Sequence, residues 1–468
     1  MLESKEFSAV ANKAVLFYND YYEKGGKEPC KIYKIRWFPT VKLIDKDGKE
    51  LSVLVGPYFD VNLYAGWIDL AEKGITENTA LSLAKKGKLS LKDARDFAYV
   101  YNRNPALVLP VLESVLDGYN GKNYKDYAFT LCKFVDAITG ANFIYGSKIK
   151  EKTGKSFESF VSLCDSFFEK LKKGNAPSVF VDVVRFKKKY YFDKETGSFS
   201  EARKILQSSD LNEIYSNTPD IVGLCAYVYS RKKGHNEGLS ILSKLKPDAD
   251  ADFQAYKNYT EAVETAGESA YLYGDKAFAE ACGKLLLDVF KIIEKNKPGL
   301  YYAFLGILQR FDAKTKTITL PLADTLIERV KAKPSDTSFY NKVISVYLQG
   351  GKKDKAIEFL KTYVDTPKFE KLVGKQNFAR SVNSFCWTFV MFKVTDNYLM
   401  ELMNKSLKID NNPGSIDTLA NLYALKGNFK KAIELEKSAI EILKKQNAPE
   451  RKIQPYVELI KEWEKKVK

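Results

Sequence analysis

Six residues near the C-terminus, Gly427-Asn428-Phe429-Lys430-Lys431-Ala432, set the tightest limit on what this chain can fold into. They join two helix-length segments, with Leu419, Ala420 and Tyr423 at helical spacing on one side and Ala439 on the other. Small Ala420, Ala432 and Ala439 let two helices approach, Leu419 and Tyr423 fill the seam, and Gly427 permits the turn. Asn412-Pro413 ahead of the first segment fits an N-cap with proline at the first helical position. Such a helix pair cannot bury its apolar face alone, so it persists by packing on neighbouring pairs.

Neighbours of the same kind are present. About one repeat earlier, residues 383–394 and 398–409 keep the two-helix pattern with a degenerate signature, and earlier still Tyr347, Gly351 and Ala356 match the Tyr, Gly and Ala positions. Gly197-Ser198-Phe199-Ser200-Glu201-Ala202 repeats the turn signature in the middle region. From Thr76 to about Lys333, amphipathic segments are separated by short breaks at Asn102-Arg103-Asn104-Pro105, 118–123, Gly174-Asn175-Ala176-Pro177, Lys246-Pro247 and Lys297-Pro298. The one ambiguous stretch is the β-branched run 178–184, which is read with the helices.

These residues resemble the tetratricopeptide repeat, a helix-turn-helix unit of about 34 residues. The resemblance implies a concave surface suited to an extended peptide or a partner helix. The family's carboxylate-clamp groove needs Lys and Asn at set positions of each first helix. Asn421 stands in place as a groove residue without the lysines, so recognition of an acidic C-terminal tail is not supported.

The N-terminal region reads differently. In residues 36–56, Val41, Leu43, Leu51, Val53 and Val55 alternate with polar or opposite-face residues around the turn Asp45-Lys46-Asp47-Gly48, which marks a β-hairpin with Pro39 at its mouth. Trp37-Phe38-Pro39-Thr40, the hairpin, and a closing helix over 62–72 with Leu63, Trp67 and Leu70 inward are similar to the C-terminal half of a thioredoxin-like domain. Residues 2–12, 15–20 and 23–33 fit the preceding helix, strand, and loop with helix. The resemblance implies a cis peptide at Phe38-Pro39 and a binding loop of Trp37, Phe38, Pro39 and Thr40. The family's Cys-x-x-Cys would fall just before Met1. Thr76 reads as the N-cap of the next helix.

Composition narrows the function classes. The net charge of +16 invites a nucleic-acid reading, and Arg185-Phe186-Lys187-Lys188-Lys189-Tyr190-Tyr191 combines cations with aromatics that would grip phosphates and stack on bases. Elsewhere basic and acidic residues alternate as on a solvated helix face, and the run itself reads better as a helix end with aromatics inward and lysines snorkelling outward. Six cysteines, at 30, 132, 164, 225, 282 and 386, include no Cys-x-x-Cys and read as small hydrophobes. A single histidine, His235, in a turn-like context, excludes a multi-histidine metal site. No apolar run approaches the ~20 residues of a membrane helix.

The expectation is therefore a mixed fold: a small α/β thioredoxin-like module, incomplete at its N-terminus, over 1–73, then a mainly α-helical tetratricopeptide-like array as helical hairpins over 76–333 and repeats over 335–468. The expected function is a protein-protein interaction scaffold with a protein or peptide partner, and no catalytic residue, cofactor or metal. The alternatives are a bacterial thiol-disulfide oxidoreductase with its Cys-x-x-Cys upstream of Met1 and, more remotely, a basic RNA-binding repeat. Residues 1–5 lack the apolar core of a secretory signal, which points to the cytoplasm, or to export if a signal lies upstream.

Overall fold

The breaks written into the sequence at 118–123, 174–177 and 246–247 are where the chain turns. The computed structural model describes residues 40–44, 47, 50–55, 61–297 and 300–467, and these form one two-stranded hairpin and otherwise helices. The segments expected over 2–12, 15–20 and 23–33 and the Phe38-Pro39 peptide lie outside the described residues. Two compact units divide the chain, one ending at Ile307 and the other beginning at Leu308.

In the first unit β1 (Thr40–Ile44) pairs antiparallel with β2 (Glu50–Val55), Val41 opposite Leu54 and Leu43 opposite Ser52, with an irregularity between Leu43 and Ile44. Directly opposed residues share a face. The residues of β2 that this register buries are thus Ser52 and Leu54, at 1% and 2% exposure, while Leu51 and Val53 are half-buried. A serine is tolerated there because it is satisfied: Trp67 Nε1 donates to its hydroxyl at 2.6 Å, which lies 2.8 Å from the Tyr101 hydroxyl and donates to Glu77 at 2.7 Å.

The helices that follow are α1 (Val61–Glu72), α2 (Ala80–Lys85), α3 (Leu91–Val100), α4 (Pro105–Asp117), α5 (Tyr124–Tyr145), α6 (Ile149–Thr153), α7 (Phe157–Lys173) and α8 (Ser178–Lys188). After them come α9 (Phe199–Leu206), α10 (Leu211–Asn217), α11 (Pro219–Lys233), α12 (His235–Lys244), α13 (Phe253–Leu272), α14 (Lys276–Asn296) and α15 (Tyr301–Thr315). Leu63, Trp67 and Leu70 on α1 are buried. Thr76 caps the turn that leads into α2 rather than α2 itself: its hydroxyl accepts the Asn78 amide at 3.3 Å, its carbonyl accepts from Ala80, and the helix starts at Ala80. The β-branched run 178–184 is the beginning of α8, where burial of Val179, Val181, Val183 and Val184 overrides their weak helix preference. At Ser198 a full capping box with Glu201 starts α9.

Helix α11 packs backbone to backbone against α13 at Gly223. A Cβ added at Gly223 would sit 1.9 Å from the carbonyl oxygen of Ala262, so only glycine allows that approach. Gly197 serves the same end against the Phe186 ring, 2.1 Å away by the same measure.

The second unit continues with α16 (Thr319–Ala332), α17 (Thr337–Gln349), α18 (Lys353–Tyr363), α19 (Pro367–Val373), α20 (Lys375–Met391), α21 (Asn397–Leu407), α22 (Pro413–Leu425), α23 (Phe429–Lys445) and α24 (Glu450–Val467). Helices α17/α18, α20/α21 and α22/α23 are three stacked hairpins. Their first helices begin at Thr337, Lys375 and Pro413, evenly spaced and slightly longer than the ~34-residue tetratricopeptide unit. These first helices touch in series, α17 on α20 and α20 on α22, and form one layer; α24 closes the end against α23.

The last hairpin is built as its residue types dictate. Asn412 accepts the Ser415 amide at 3.0 Å, Pro413 takes the first turn, and Gly427 turns the chain at φ +84°. Ala420, Ala432 and Ala439 are fully buried at the seam. Gly351, at φ +70°, and buried Ala356 repeat the arrangement between α17 and α18.

Candidate functional site

The layer of first helices in the second unit carries the one expected site residue whose side chain lies within the described residues. Asn421, half-buried on α22, donates its amide to the Asp417 carbonyl oxygen at 2.9 Å and to Asp417 Oδ1 at 2.8 Å, one turn earlier on the same face. Asp417 in turn faces Glu436 of α23, which is fully buried, and neither Glu436 oxygen has a donor. Two acceptors cannot hydrogen-bond each other, but with one shared proton they can. Burial, and then the neighbouring Asp417, push the Glu436 carboxyl up to about 9; burial also raises Asp417. Tyr456 on α24 is raised by burial and by both carboxylates. The expected groove asparagine is therefore tied to a buried acid pair. Asp417 was findable from its spacing to Asn421, whereas Glu436 had no signal in the local pattern.

Further along the same layer, Asn341 of α17 donates to the Ser384 hydroxyl of α20 at 2.8 Å and accepts from Thr388 at 3.2 Å. The outer face of α20 leaves Trp387 39% and Met391 67% exposed. Recognition surfaces are enriched in these two residue types, which the sequence reading did not single out.

In the first unit three of the four cations of the basic aromatic run are paired internally. Arg185 binds Asp182 at 2.6 Å and Glu201 at 2.9 Å, Lys188 pairs with Asp165 and lies over the Phe168 ring, and Tyr190 meets the Ser269 hydroxyl. Lys187 does not snorkel. Its side chain is 2% exposed and reaches Asp220 at 2.9 Å and Asp136 at 2.7 Å, while Tyr191 donates to Asp220 at 3.0 Å. Burial works against both charges, yet the two carboxylates hold the lysine up and Lys187 holds Asp220 below the usual carboxylate range. Nearby Glu261 is raised by burial and by the Asp220 charge.

Cys132, Cys164, Cys225, Cys282 and Cys386 are buried and free, and burial pushes all five thiols up, Cys132 and Cys164 to about 12. Cys30 lies outside the described residues. His235 opens α12 with Nε2 2.8 Å from Asp275. Trp37, Phe38 and Pro39 lie outside the described residues, and Thr40 opens β1. Among the described residues no cluster of His, Cys, Asp and Glu is arranged to hold a metal ion, and no helix is long and apolar enough to cross a membrane.

No protein-family model matches the chain, and no curated protein matches it. Among solved structures, the P58(IPK) TPR domain is similar over 84% of this chain and 98% of its own, at 13% identity and a TM-score of 0.18. A superposition this loose leaves the repeat reading to the helix pairing itself.

Proposed function

We propose that the chain is a protein-interaction scaffold whose second unit takes an extended peptide or a partner helix along the layer α17, α20 and α22. The observation that carries this reading is the pair Trp387 and Met391, 39% and 67% exposed at one helical turn's spacing on α20. A large aromatic and a pliable thioether left in water on a face shared by stacked first helices fit the anchor positions of a recognition surface. The face has mixed polarity, with Asn341 and Ser384 beside these two residues.

On this reading residues 1–73 form a non-catalytic thioredoxin-like module, and 76–333 and 335–468 the repeats. The hairpin β1–β2 followed by α1 supports the first assignment. The node of Ser52, Trp67, Glu77 and Tyr101 ties that hairpin to α3 as a supporting piece of the helical array.

The test is an array of overlapping peptides probed with the full chain and with a Trp387→Ala/Met391→Ala variant of unchanged melting temperature. The expected result is a set of peptides bound by the first and lost by the second. Identical binding by both sinks the proposal.

A further inference from the structure

Beside that face, between the start of α17 and the start of α20, lies an open cavity of about 500 Å³. Ser335, Thr337, Leu372, Asn377, Arg380 and Ser384 line it, and no carboxylate does. Arg380 is exposed and forms no ion pair among the described residues. Ser384 already accepts from Asn341, which leaves its own hydroxyl proton to give. Asn377 spends its amide on the Val373 carbonyl. One guanidinium fork among hydroxyl donors, with no competing acid, is matched to a single planar monoanion.

The geometry points to a binding site for an internal Asp or Glu side chain of a peptide, its carboxylate on Arg380 and apolar neighbours on either side. This rests on the reading of the second unit as a peptide-binding scaffold and names its ligand chemistry. An internal acid is favoured over a chain end because apolar contacts lie on both sides of Arg380. Leu372, 46% exposed, lines the cavity at one side, and Trp387 and Met391 continue from Ser384 at the other. From Arg380 to Met391 is roughly 16 Å along the helix at ~1.5 Å per residue. About five extended residues span that distance at ~3.3 Å each. The ligand is thus an acidic residue with an apolar one about five positions away, and the chain's net charge of +16 favours its approach.

The experiment is a positional-scanning library of acetylated, amidated nonapeptides, which carry no terminal charge, read by fluorescence polarisation on the full chain. A central Asp or Glu is expected to bind roughly tenfold tighter than Asn or Gln. Arg380→Gln abolishes that preference and Arg380→Lys, which keeps the charge without the fork, restores part of it. Peptides that bind through Trp387 but ignore both the central acid and Arg380→Gln overturn this inference and leave the scaffold reading standing. No peptide bound by the unaltered chain overturns both. Displacement by millimolar inorganic phosphate, with no preference among peptides, also overturns it in favour of a phosphate site.

Discussion

Lys187 and Asp220 form an ion pair at 2.9 Å with only 2% and 3% of their side chains exposed, and no local pattern around either residue announces it. The pair joins α8 to α11, and Asp136 of α5 and Tyr191 complete the cluster. A buried pair is costly to break on one side, because the survivor keeps its charge without its partner.

Replacing Lys187 with Met is therefore expected to destabilise the first unit by about 3–5 kcal/mol. Adding Asp220→Leu should recover most of that loss. Urea unfolding of the three proteins checks it, and a double variant no more stable than Lys187→Met would contradict the account.

The Asp417–Glu436 pair makes a pH prediction of definite sign. Glu436 has its carboxyl raised in the fold from 4.5 to about 9, so the fold favours the protonated form. Its contribution is fully present below pH 4.5 and is lost as the pH rises through about 9. The second unit should lose on the order of a few kcal/mol across that window, the titration belonging to the pair rather than to one residue. Glu436→Gln should flatten the decline, measured as the denaturation midpoint from pH 5 to 9. An unchanged slope counts against the shared proton.

Gly223→Ala places a methyl group 1.9 Å from the Ala262 carbonyl oxygen and must push α11 off α13. The expected cost is about 2 kcal/mol or more. Gly66→Ala on α1, whose nearest contact is Val100 at 3.7 Å, should instead be neutral or stabilising by up to ~1 kcal/mol. Parallel thermal melts distinguish the two, and equal shifts would be inconsistent with the packing described.

Thiol reactivity follows burial. In the native chain at pH 8, Cys132, Cys164, Cys225, Cys282 and Cys386 should resist N-ethylmaleimide and react only on unfolding, because the reagent needs an accessible thiolate. Peptide mapping after brief labelling reads each site separately, and rapid modification of any of the five contradicts its placement.

Where a feature depends on residues a few positions apart, the sequence by itself determined it. The breaks at 118–123 and 174–177 fall between helices, the break at 102–105 ends with Pro105 as the first residue of α4, and Asn412, Pro413 and Gly427 cap and turn the last hairpin. Ala420, Ala432 and Ala439 lie in its seam because small residues let helices touch. The polarity pattern of β2 misled because Ser52 is buried on hydrogen bonds from Trp67 and to Glu77, partners that strand periodicity does not contain.

Only the tertiary structure decided the fate of the charges. The lysine expected to snorkel, Lys187, is interior because Asp136 and Asp220 arrive from two other helices. Asn421 was singled out from its place on the first helix and its bond to Asp417 is local to α22, but the approach of Glu436 to Asp417 depends on how α23 lies against α22. Helix boundaries come from short-range sterics and capping, which any stretch of chain carries within itself. The state of a buried charge comes from Coulombic and desolvation energies set by whichever distant residues the fold brings within a few ångströms.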